Sequence, residues 1–424
     1  MLILLGGQVI YKARWIPSGQ SLVESHHDGS ASTLPITIRE SCRRVPGTSA
    51  PNTLRGMPGA HTVLDTNATA ADLARQIVDM PSPSGHEAPL ADAIERALAG
   101  ALHLEVVRVG NTVAARTTLG REARVLWAGH IDTVPVHNNL PSHTEAGFLY
   151  GRGTVDMKGG LAIGLKLALE LEAPLHDVTW IFYDNEEVEA AKNGLGLFGA
   201  AHPEWVTGDF AIVGEPSNGA LEGGCNGTLR VEVSTTGVQA HSARSWKGTN
   251  AIHAVSDVLT RLVDYEAQTI DVDGLSYREG VNAVGIAGGV AGNVIPDRAT
   301  VTINYRFAPD KSVDQAVAHM NDVFEGYEVV VVDAAGGARP GLNSAIAQGF
   351  VTALGVEVRP KYGWTDVARF GQWGIPAVNF GPGDPSLAHS DHERVEIASI
   401  ETAFQGLKGW LGPHTGSHVV NIFG

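Results

Sequence analysis

The chain of 424 residues contains only two cysteines, Cys42 and Cys225. Two cysteines cannot form a disulfide framework, so we expect a protein of a reducing compartment, the cytoplasm. They also exclude a zinc site built mainly from thiolates. Any metal site in this protein must therefore use imidazole and carboxylate ligands.

Basic residues are scarce as well: 30 Lys and Arg face 46 Asp and Glu, which gives a net charge of −16. We therefore expect neither nucleic acid nor an anionic membrane as a partner. The sequence contains no uninterrupted run of about 18 or more apolar residues, so no transmembrane helix is predicted. The apolar start, residues 1–5, lacks the basic region and the cleavage site of a signal peptide.

What the sequence does contain is typical of a soluble globular protein, with 43% hydrophobic and 18% charged residues. Its length is that of two domains. Residues 1–62 are rich in Ser, Arg, Pro and Gly, and we interpret them as a disordered extension or as the product of an upstream mis-start. Residues 412–424 are interpreted as a tail.

Short apolar runs alternate with helical patterns over residues 63–227 and 340–411. The helical patterns cover residues 70–78, 90–98 and 161–171. The apolar runs, which predict buried strands, are residues 125–128, 178–183, 210–213 and 377–380. Strands alternating with helices predict an α/β domain whose sheet is covered on both faces.

The stretch from 228 to 339 has a different period. Apolar and polar residues alternate along 229–234 and 301–307, as in a half-exposed antiparallel sheet. Amphipathic helices accompany them, one through Ile252 and Leu259, the other through Val313 and Met320. We therefore predict an α+β domain inserted into the α/β domain.

Ionisable residues follow every one of the four buried runs, and they are His130 with Asp132, Glu186 with Glu187, Glu215, and His389. Ligands bind at the carboxyl ends of strands in open α/β sheets. Four separate strands are thus expected to bring imidazoles and carboxylates to one edge of the sheet.

Asp156 lies in the glycine-rich segment 153–160, just before a predicted helix. Its two carboxylate oxygens could bridge two metal ions about 3.5–4 Å apart. The predicted ligand set is then two histidines and three carboxylates, which suits a pair of zinc-type ions. Its members are His130, Asp156, Glu187, Glu215 and His389.

Two further carboxylates have predicted roles beside the metals. Asp132 would accept the other ring N–H of His130 and orient it. Glu186 would act as general base, taking a proton from the attacking water and returning it to the leaving nitrogen. Each motif alone has an ordinary reading: Asp156 could simply cap a helix, and paired glutamates often form a solvated turn. Their joint occurrence at strand ends favours the metal site.

These segments resemble the five motifs of the co-catalytic zinc aminoacylase/carboxypeptidase family, and the resemblance extends over residues 64–411. The resembling segments are His-Ile-Asp at 130–132, Gly-Thr-Val-Asp-Met-Lys-Gly-Gly at 153–160, Asp-Asn-Glu-Glu at 184–187, Gly-Glu-Pro at 214–216 and His-Ser-Asp-His-Glu at 389–393. The resemblance implies a zinc-peptidase-like α/β catalytic domain with a mixed sheet between helices. It also implies an inserted ferredoxin-like dimerisation domain, a homodimer, and two Zn²⁺ ions, with Co²⁺ as a substitute.

The resemblance further implies how the residues divide their work. One ion would bind His130, Asp156 and Glu215, and the other Asp156, Glu187 and His389. His241 would reach the site of the partner subunit and stabilise the oxyanion. The implied substrate contacts are Asn293, Arg306, Thr365, Gly381 and Gly383. Asn226 stands where better-known relatives have an Arg, and Arg244 or Arg369 would replace that cation.

Within the family, residues 222–230, 240–246, 288–297 and 361–370 resemble the branch that hydrolyses N-succinyl-LL-2,6-diaminopimelate to succinate and LL-2,6-diaminopimelate. We expect that reaction. One alternative keeps the chemistry with another substrate, as in acetylornithine deacetylase, another N-acyl-amino-acid deacylase or a dipeptidase. A second alternative is a metal-free binding or scaffold protein on the same fold.

Overall fold

The computed structural model describes residues 63–413 and, before them, the backbone of three strands, β1 (Leu2–Leu5), β2 (Gln8–Trp15) and β3 (Ser21–Ser25). These strands form an antiparallel sheet in the order β1-β2-β3. No regular structure was predicted there from the sequence, because the alternation of apolar and polar residues in β2 was overlooked. The rest of residues 1–62, with Cys42, and residues 414–424 lie outside the described part. The extension, the mis-start and the tail therefore stay predictions.

The first part of the described chain alternates helices and strands as predicted. Its helices are α1 (Ala70–Val78), α2 (Ala88–Ala99), α3 (Gly159–Glu170) and α4 (Gly194–Ala201). Its strands are β4 (Glu105–Val109), β5 (Thr112–Arg116), β6 (Arg124–His130), β7 (His143–Glu145), β8 (Phe148–Tyr150), β9 (Asp177–Tyr183), β10 (Phe210–Val213) and β11 (Leu221–Gly223).

The inserted region forms a separate antiparallel sheet. Its strands are β12 (Gly227–Thr236), β13 (Ala240–His241), β14 (Thr269–Val272), β15 (Leu275–Arg278), β16 (Gly280–Gly288), β17 (Val294–Ile295), β18 (Arg298–Phe307) and β19 (Val329–Ala335), and its helices are α5 (Ala251–Val263) and α6 (Val313–Val323). The four long strands pair in the order β16-β18-β12-β19. With α5 after the first strand and α6 after the third, this is the ferredoxin-like arrangement that was predicted.

The last part contains β20 (Val358–Pro360), β21 (Ala377–Asn379), β22 (Arg394–Glu396), α7 (Ala345–Leu354), α8 (Val367–Gln372) and α9 (Ile397–Leu411). β22 pairs with β8 in a small sheet, whereas β20 and β21 join the large sheet. That sheet has the strand order β20-β11-β21-β10-β6-β9-β5-β4. Its central strands β21, β10, β6 and β9 are mutually parallel, whereas β9, β5 and β4 pair antiparallel. The sheet is therefore mixed, and the four strands predicted from apolar runs lie side by side at its centre.

Both faces of the large sheet are buried. On β6, Val125 and Trp127 lie in one hydrophobic core, which also contains side chains of α1, α2, α3, α7 and α9. Leu126 and Ala128 lie in a second core with side chains of α4 and α8. Strands covered on both faces read as continuous apolar runs, which is why the sequence revealed them.

The inserted region has a core of its own, made by alternate residues of β12 and β18 together with α5 and α6. The described residues 63–413 nevertheless group as one compact unit. The domain boundaries at 227/228 and 339/340 stay a prediction. Among the described residues, no helix is both long and apolar enough to cross a bilayer.

Candidate metal centre

The central parallel strands position most of the predicted ligands. His130 is the last residue of β6, Glu187 follows β9, Glu215 follows β10, and His389 lies in the loop after β21. Asp156 comes from the irregular turn Thr154–Lys158 that precedes α3. Because the carboxyl ends of parallel strands meet at one edge of a sheet, these residues converge despite wide separation in sequence.

Asp156 is shared by two groups of three ligands. His130 Nε2 lies 3.0 Å from Asp156 Oδ1 and 3.9 Å from Glu215 Oε1. His389 Nε2 lies 3.3 Å from Asp156 Oδ2 and 2.9 Å from Glu187 Oε1. Within each group the ligand atoms lie within 4.8 Å of one another, a spacing that could hold one metal ion. Each oxygen of Asp156 thus faces a different group, as a bridging carboxylate would.

The electrostatics of the five ligands also suit cations. Burial, together with the Asp156 carboxylate, raises the pKa of Glu215 to about 8. Hydrogen bonds to Asp156 and Glu187 raise the pKa of His389 to about 10. Carboxylates that are crowded in a buried site repel one another, so added positive charge is favourable there. The raised pKa values reflect this for protons, and a metal cation would be favoured for the same reason. The donor set of imidazoles and carboxylates therefore fits two divalent ions of the zinc type.

Asp132 holds the site together behind the ligands. One of its carboxylate oxygens accepts the backbone N–H of Glu186 at 3.0 Å, and the other accepts that of Glu187 at 3.1 Å and the Ser84 hydroxyl at 2.7 Å. The Nδ1 of His130 lies 3.0 Å from the backbone carbonyl of Asp132 and 3.5 Å from its carboxylate. The His130 ring thus lies closer to the main-chain carbonyl of Asp132 than to the carboxylate that was predicted to orient it.

Glu186, the predicted general base, lies beside two of the predicted ligands. Its carboxyl groups with His130 and Glu187, with ligand atoms within 4.8 Å of one another. Burial raises its pKa well above the usual value, and the carboxylates of Asp366 and Glu215 add to the rise against the opposing charge of His130. A carboxyl group with a raised pKa can both accept and return a proton near neutral pH.

Backbone packs directly against backbone behind Glu215. A Cβ on Gly160 would collide with the carbonyl oxygen of Gly214, and a Cβ on Gly381 would lie 2.5 Å from the same oxygen. Glycine is thus required sterically at both positions. His389 adopts a positive φ of 62°, a left-handed conformation that is uncommon for residues other than glycine and is concentrated at functional sites.

Two of the predicted substrate contacts, Gly381 and Gly383, lie in the loop after β21, and a third, Thr365, contacts the last residue of that strand. The Thr365 hydroxyl is buried and donates to Asn379 Oδ1 at 2.9 Å. The Gly381 N–H donates to the Ser217 hydroxyl at 3.1 Å. The Gly383 carbonyl accepts the N–H of Asn218 at 2.8 Å. The loops after β10 and β21 therefore form one wall next to Glu215.

The remaining predicted contacts lie in the inserted region. His241 and Asn293 are close together, because β13 pairs with β17 and the Ser242 N–H donates to the Asn293 carbonyl at 2.9 Å. Arg244 is exposed in the following 3-10 turn. Among residues 63–413, no hydrogen bond or ion pair joins His241, Asn293, Arg244 or Arg306 to the five ligands.

The two arginines offered in place of the missing cation differ in availability. Arg369 Nε lies 2.6 Å from the buried Asp366 carboxylate, so its charge is already paired. Arg244 is exposed. Arg306 is half-buried, and burial lowers the pKa of its guanidinium. No ion-pair partner of Arg306 occurs in the described part of the chain.

Comparison with the sequences of known proteins assigns this chain to a family. The sequence profile of peptidase family M20/M25/M40 matches residues 126–411. A Mycobacterium tuberculosis protein with the provisional name succinyl-diaminopimelate desuccinylase is 54% identical over 353 residues, which are 82% of this chain and 100% of the relative. The chain belongs to peptidase family M20/M25/M40. The succinyl-diaminopimelate desuccinylase of Corynebacterium glutamicum is 48% identical to this M20 protein, over 80% of the chain and 95% of the relative.

Solved structures of M20 relatives share the fold. A tripeptidase from Staphylococcus aureus superposes with a TM-score of 0.68 at 22% identity, covering 82% of this chain and 98% of the relative. A dinuclear metal-binding peptidase of the M20 family from Bacillus subtilis gives a TM-score of 0.58 at 19% identity, covering 80% of this chain and 96% of the relative. The expected zinc-peptidase-like fold is confirmed.

One residue of the M20 site was overlooked in the sequence. Glu393 is 2% exposed, and its carboxylate accepts the backbone N–H groups of Gly153, Val155 and Asp156. Its presence in the last resembling motif, four residues after His389, was the available signal. A glutamate in that segment reads as exposed, because only the folded chain shows which N–H groups surround it.

Proposed function

We propose that this M20 protein hydrolyses the amide bond of N-succinyl-LL-2,6-diaminopimelate, giving succinate and LL-2,6-diaminopimelate, a step in lysine and diaminopimelate biosynthesis. The observation that carries the proposal is the pair of ligand groups sharing Asp156, with Glu186 beside them. The choice of substrate is supported by two relatives that carry this activity in their names, at 54% and 48% identity.

The proposed cofactor is a pair of zinc ions, with cobalt as a substitute. His130, Asp156 and Glu215 would hold one ion, and Asp156, Glu187 and His389 the other. Each ion would then have three protein ligands and open positions, as in catalytic zinc sites. When bound, the ions polarise the scissile carbonyl and lower the pKa of water.

Proton transfer falls to Glu186. Its carboxylate takes the proton of the attacking water and returns it to the departing nitrogen of diaminopimelate, so the amine leaves neutral. Asp132 fixes the Glu186 main chain through the 3.0 Å hydrogen bond and so limits the positions that the base can reach. His241 of a second copy would donate to the oxyanion of the tetrahedral intermediate.

We propose a homodimer formed through the inserted region. Ile252 on α5 and Ile286 on β16 are 41% and 61% exposed. Ile286 lies opposite Val301 in the sheet register and therefore points to the face that α5 covers. β16 is also an edge strand with unpaired backbone groups. An apolar patch beside a free strand edge suits a second copy of the same surface.

Dimer formation would complete the substrate site. His241 and Asn293 are exposed and have no contact with the ligands of their own chain, as expected of groups that act on a partner. Arg306 and Arg244 would supply cations for the substrate carboxylates. Thr365, Gly381 and Gly383 would line the other side of the substrate site. We place the reaction in the cytoplasm, which the free thiol of Cys225 supports.

The test is an assay of zinc-loaded protein on N-succinyl-LL-2,6-diaminopimelate, with N-acetylornithine and dipeptides in parallel. Release of the free amine from the succinyl substrate alone is the expected result. A preference for the acetyl substrate or a dipeptide would refute the substrate and keep the amidohydrolase. Absence of turnover in a protein that carries two zinc ions would refute the reaction itself.

A further inference from the structure

Glu393 connects the two loops that carry Asp156 and His389. One of its carboxylate oxygens accepts the N–H groups of Val155 at 3.0 Å and Asp156 at 3.1 Å. The other accepts the Gly153 N–H at 3.0 Å and lies 2.9 Å from Arg152 Nη1. Every strong acceptor position of this buried carboxylate thus faces the segment that contains Asp156.

Further hydrogen bonds join the same two loops. Arg152 Nη1 also donates to the Ser390 carbonyl at 3.3 Å, and the Gly151 N–H donates to the Glu393 carbonyl at 3.1 Å. Ser390 immediately follows His389. Hydrogen bonds therefore join the 152–156 segment to the 389–393 segment directly next to the proposed metal ligands Asp156 and His389.

The backbone at Asp156 explains why an acceptor is needed there. Asp156 and Met157 leave helical geometry, with φ/ψ of −120°/98° and −128°/35°. The N–H groups just before them lie ahead of the first turn of α3 and have no helical acceptor of their own. Buried N–H groups without acceptors are costly, and a single carboxylate can accept all of them at once.

We propose that Glu393 is a positioning residue for the dinuclear centre: by holding Asp156 and His389 in register, it sets the affinity of the site for its metal ions. The proposal rests on the proposed metal centre. Glu393 itself lies behind the ligands and touches neither substrate nor metal. Glutamine at this position would keep one acceptor oxygen but point an NH₂ group at N–H donors, which loosens the Asp156 segment.

The experiment compares Glu393→Gln with wild type and with Glu396→Gln, a matched change of an exposed glutamate three residues further on, at the end of β22. Metal-free protein is titrated with Co²⁺, and binding is followed by cobalt absorption. We expect the cobalt Kd of Glu393→Gln to rise about 10- to 100-fold, as for other residues that orient metal ligands, while Glu396→Gln binds like wild type. Once cobalt saturates the variant, its KM for substrate should match that of wild type.

A role in folding alone would give a different pattern: a lower Tm of the metal-free protein with an unchanged cobalt Kd, which would overturn the proposal. Should Glu393→Gln not fold, Glu393→Asp decides, since its shorter carboxylate keeps the charge but cannot reach both sides of the 152–156 segment. Wild-type cobalt affinity in Glu393→Asp would then refute the positioning role. Wild-type protein that binds no cobalt would refute the metal centre and this proposal together, whereas equal binding by wild type and Glu393→Gln refutes only the latter.

Discussion

The Asp132 carboxylate accepts the backbone N–H of Glu186 at 3.0 Å, so the residue beside the His130 ring also holds the loop that carries the proposed base. Its second oxygen accepts the Glu187 N–H at 3.1 Å. One buried carboxylate therefore lies against a proposed ligand of each ion, His130 and Glu187, and against the proposed base, Glu186. Any change in Asp132 should alter metal binding and proton transfer together.

Asp132→Asn tests that coupling. Each oxygen of Asp132 accepts one of the two N–H groups, so the new NH₂ group must face that of Glu186 or that of Glu187, and at least one hydrogen bond is lost. We expect metal affinity or kcat to fall about 10- to 100-fold. Zinc content after dialysis and steady-state kinetics measure the two effects. Asp72→Asn, at an exposed position on α1, should leave both unchanged. A wild-type result for Asp132→Asn would remove its positioning role.

Glu186→Gln should abolish proton transfer and spare the metals. The change keeps the size of the side chain and removes the proton acceptor, so kcat should fall at least about 100-fold. Both zinc ions should remain, as measured by elemental analysis. Glu189→Gln is the control, since Glu189 lies on the same loop and is exposed. Turnover within a few-fold of wild type would show that another group is the base.

His241→Ala tests catalysis across the dimer. Alone, it should keep the dimer and both metals but lose turnover. Mixing it with Glu186→Gln and allowing subunits to exchange should restore about a quarter of wild-type turnover, the statistical share for a two-fold dimer with one intact site per heterodimer. If His241 acted within its own chain, each site of the heterodimer would lack either His241 or Glu186, and the mixture would stay inactive.

Ile286→Lys should break the proposed interface. The charge would be buried against a second copy, and the dimer should dissociate at concentrations where wild type remains dimeric. Sedimentation velocity measures this, and turnover should fall with dimer content. Leu102→Lys serves as control because Leu102 is fully exposed outside the inserted region. An intact dimer of Ile286→Lys would place the interface elsewhere.

Metal binding should strengthen as pH rises. In the metal-free protein the pKa of Glu215 is raised to about 8 and that of His389 to about 10, so both are largely protonated at about pH 7. Metal ligands must be deprotonated, so binding expels these protons. Cobalt affinity should therefore increase from about pH 7 towards the raised pKa values and fall on acidification. Calorimetry in buffers of different ionisation enthalpy should detect proton release; equal affinity at both ends of that range would contradict the assignment.

The sequence alone determined the local structure and the residue types of the site. Strand β10 was predicted to the residue, and β6, β9 and β21 to within a few residues, because strands buried on both faces are continuously apolar. The five proposed ligands were chosen from the sequence because each follows such a strand or precedes a helix, and the structure brings their side chains together. Alternation of period two likewise revealed β12 and β18 of the inserted sheet.

Only the tertiary structure decided which groups meet. The division of the Asp156 oxygens between His130 and His389, the pairing of Arg369 with Asp366 and the position of Glu393 join segments that are distant in sequence or lie in loops. No periodicity encodes such contacts, since they depend on how loops pack once the sheet has formed. The sequence therefore predicted the chemistry of this protein, whereas the distances and hydrogen bonds of the site arise from the packing of the folded chain.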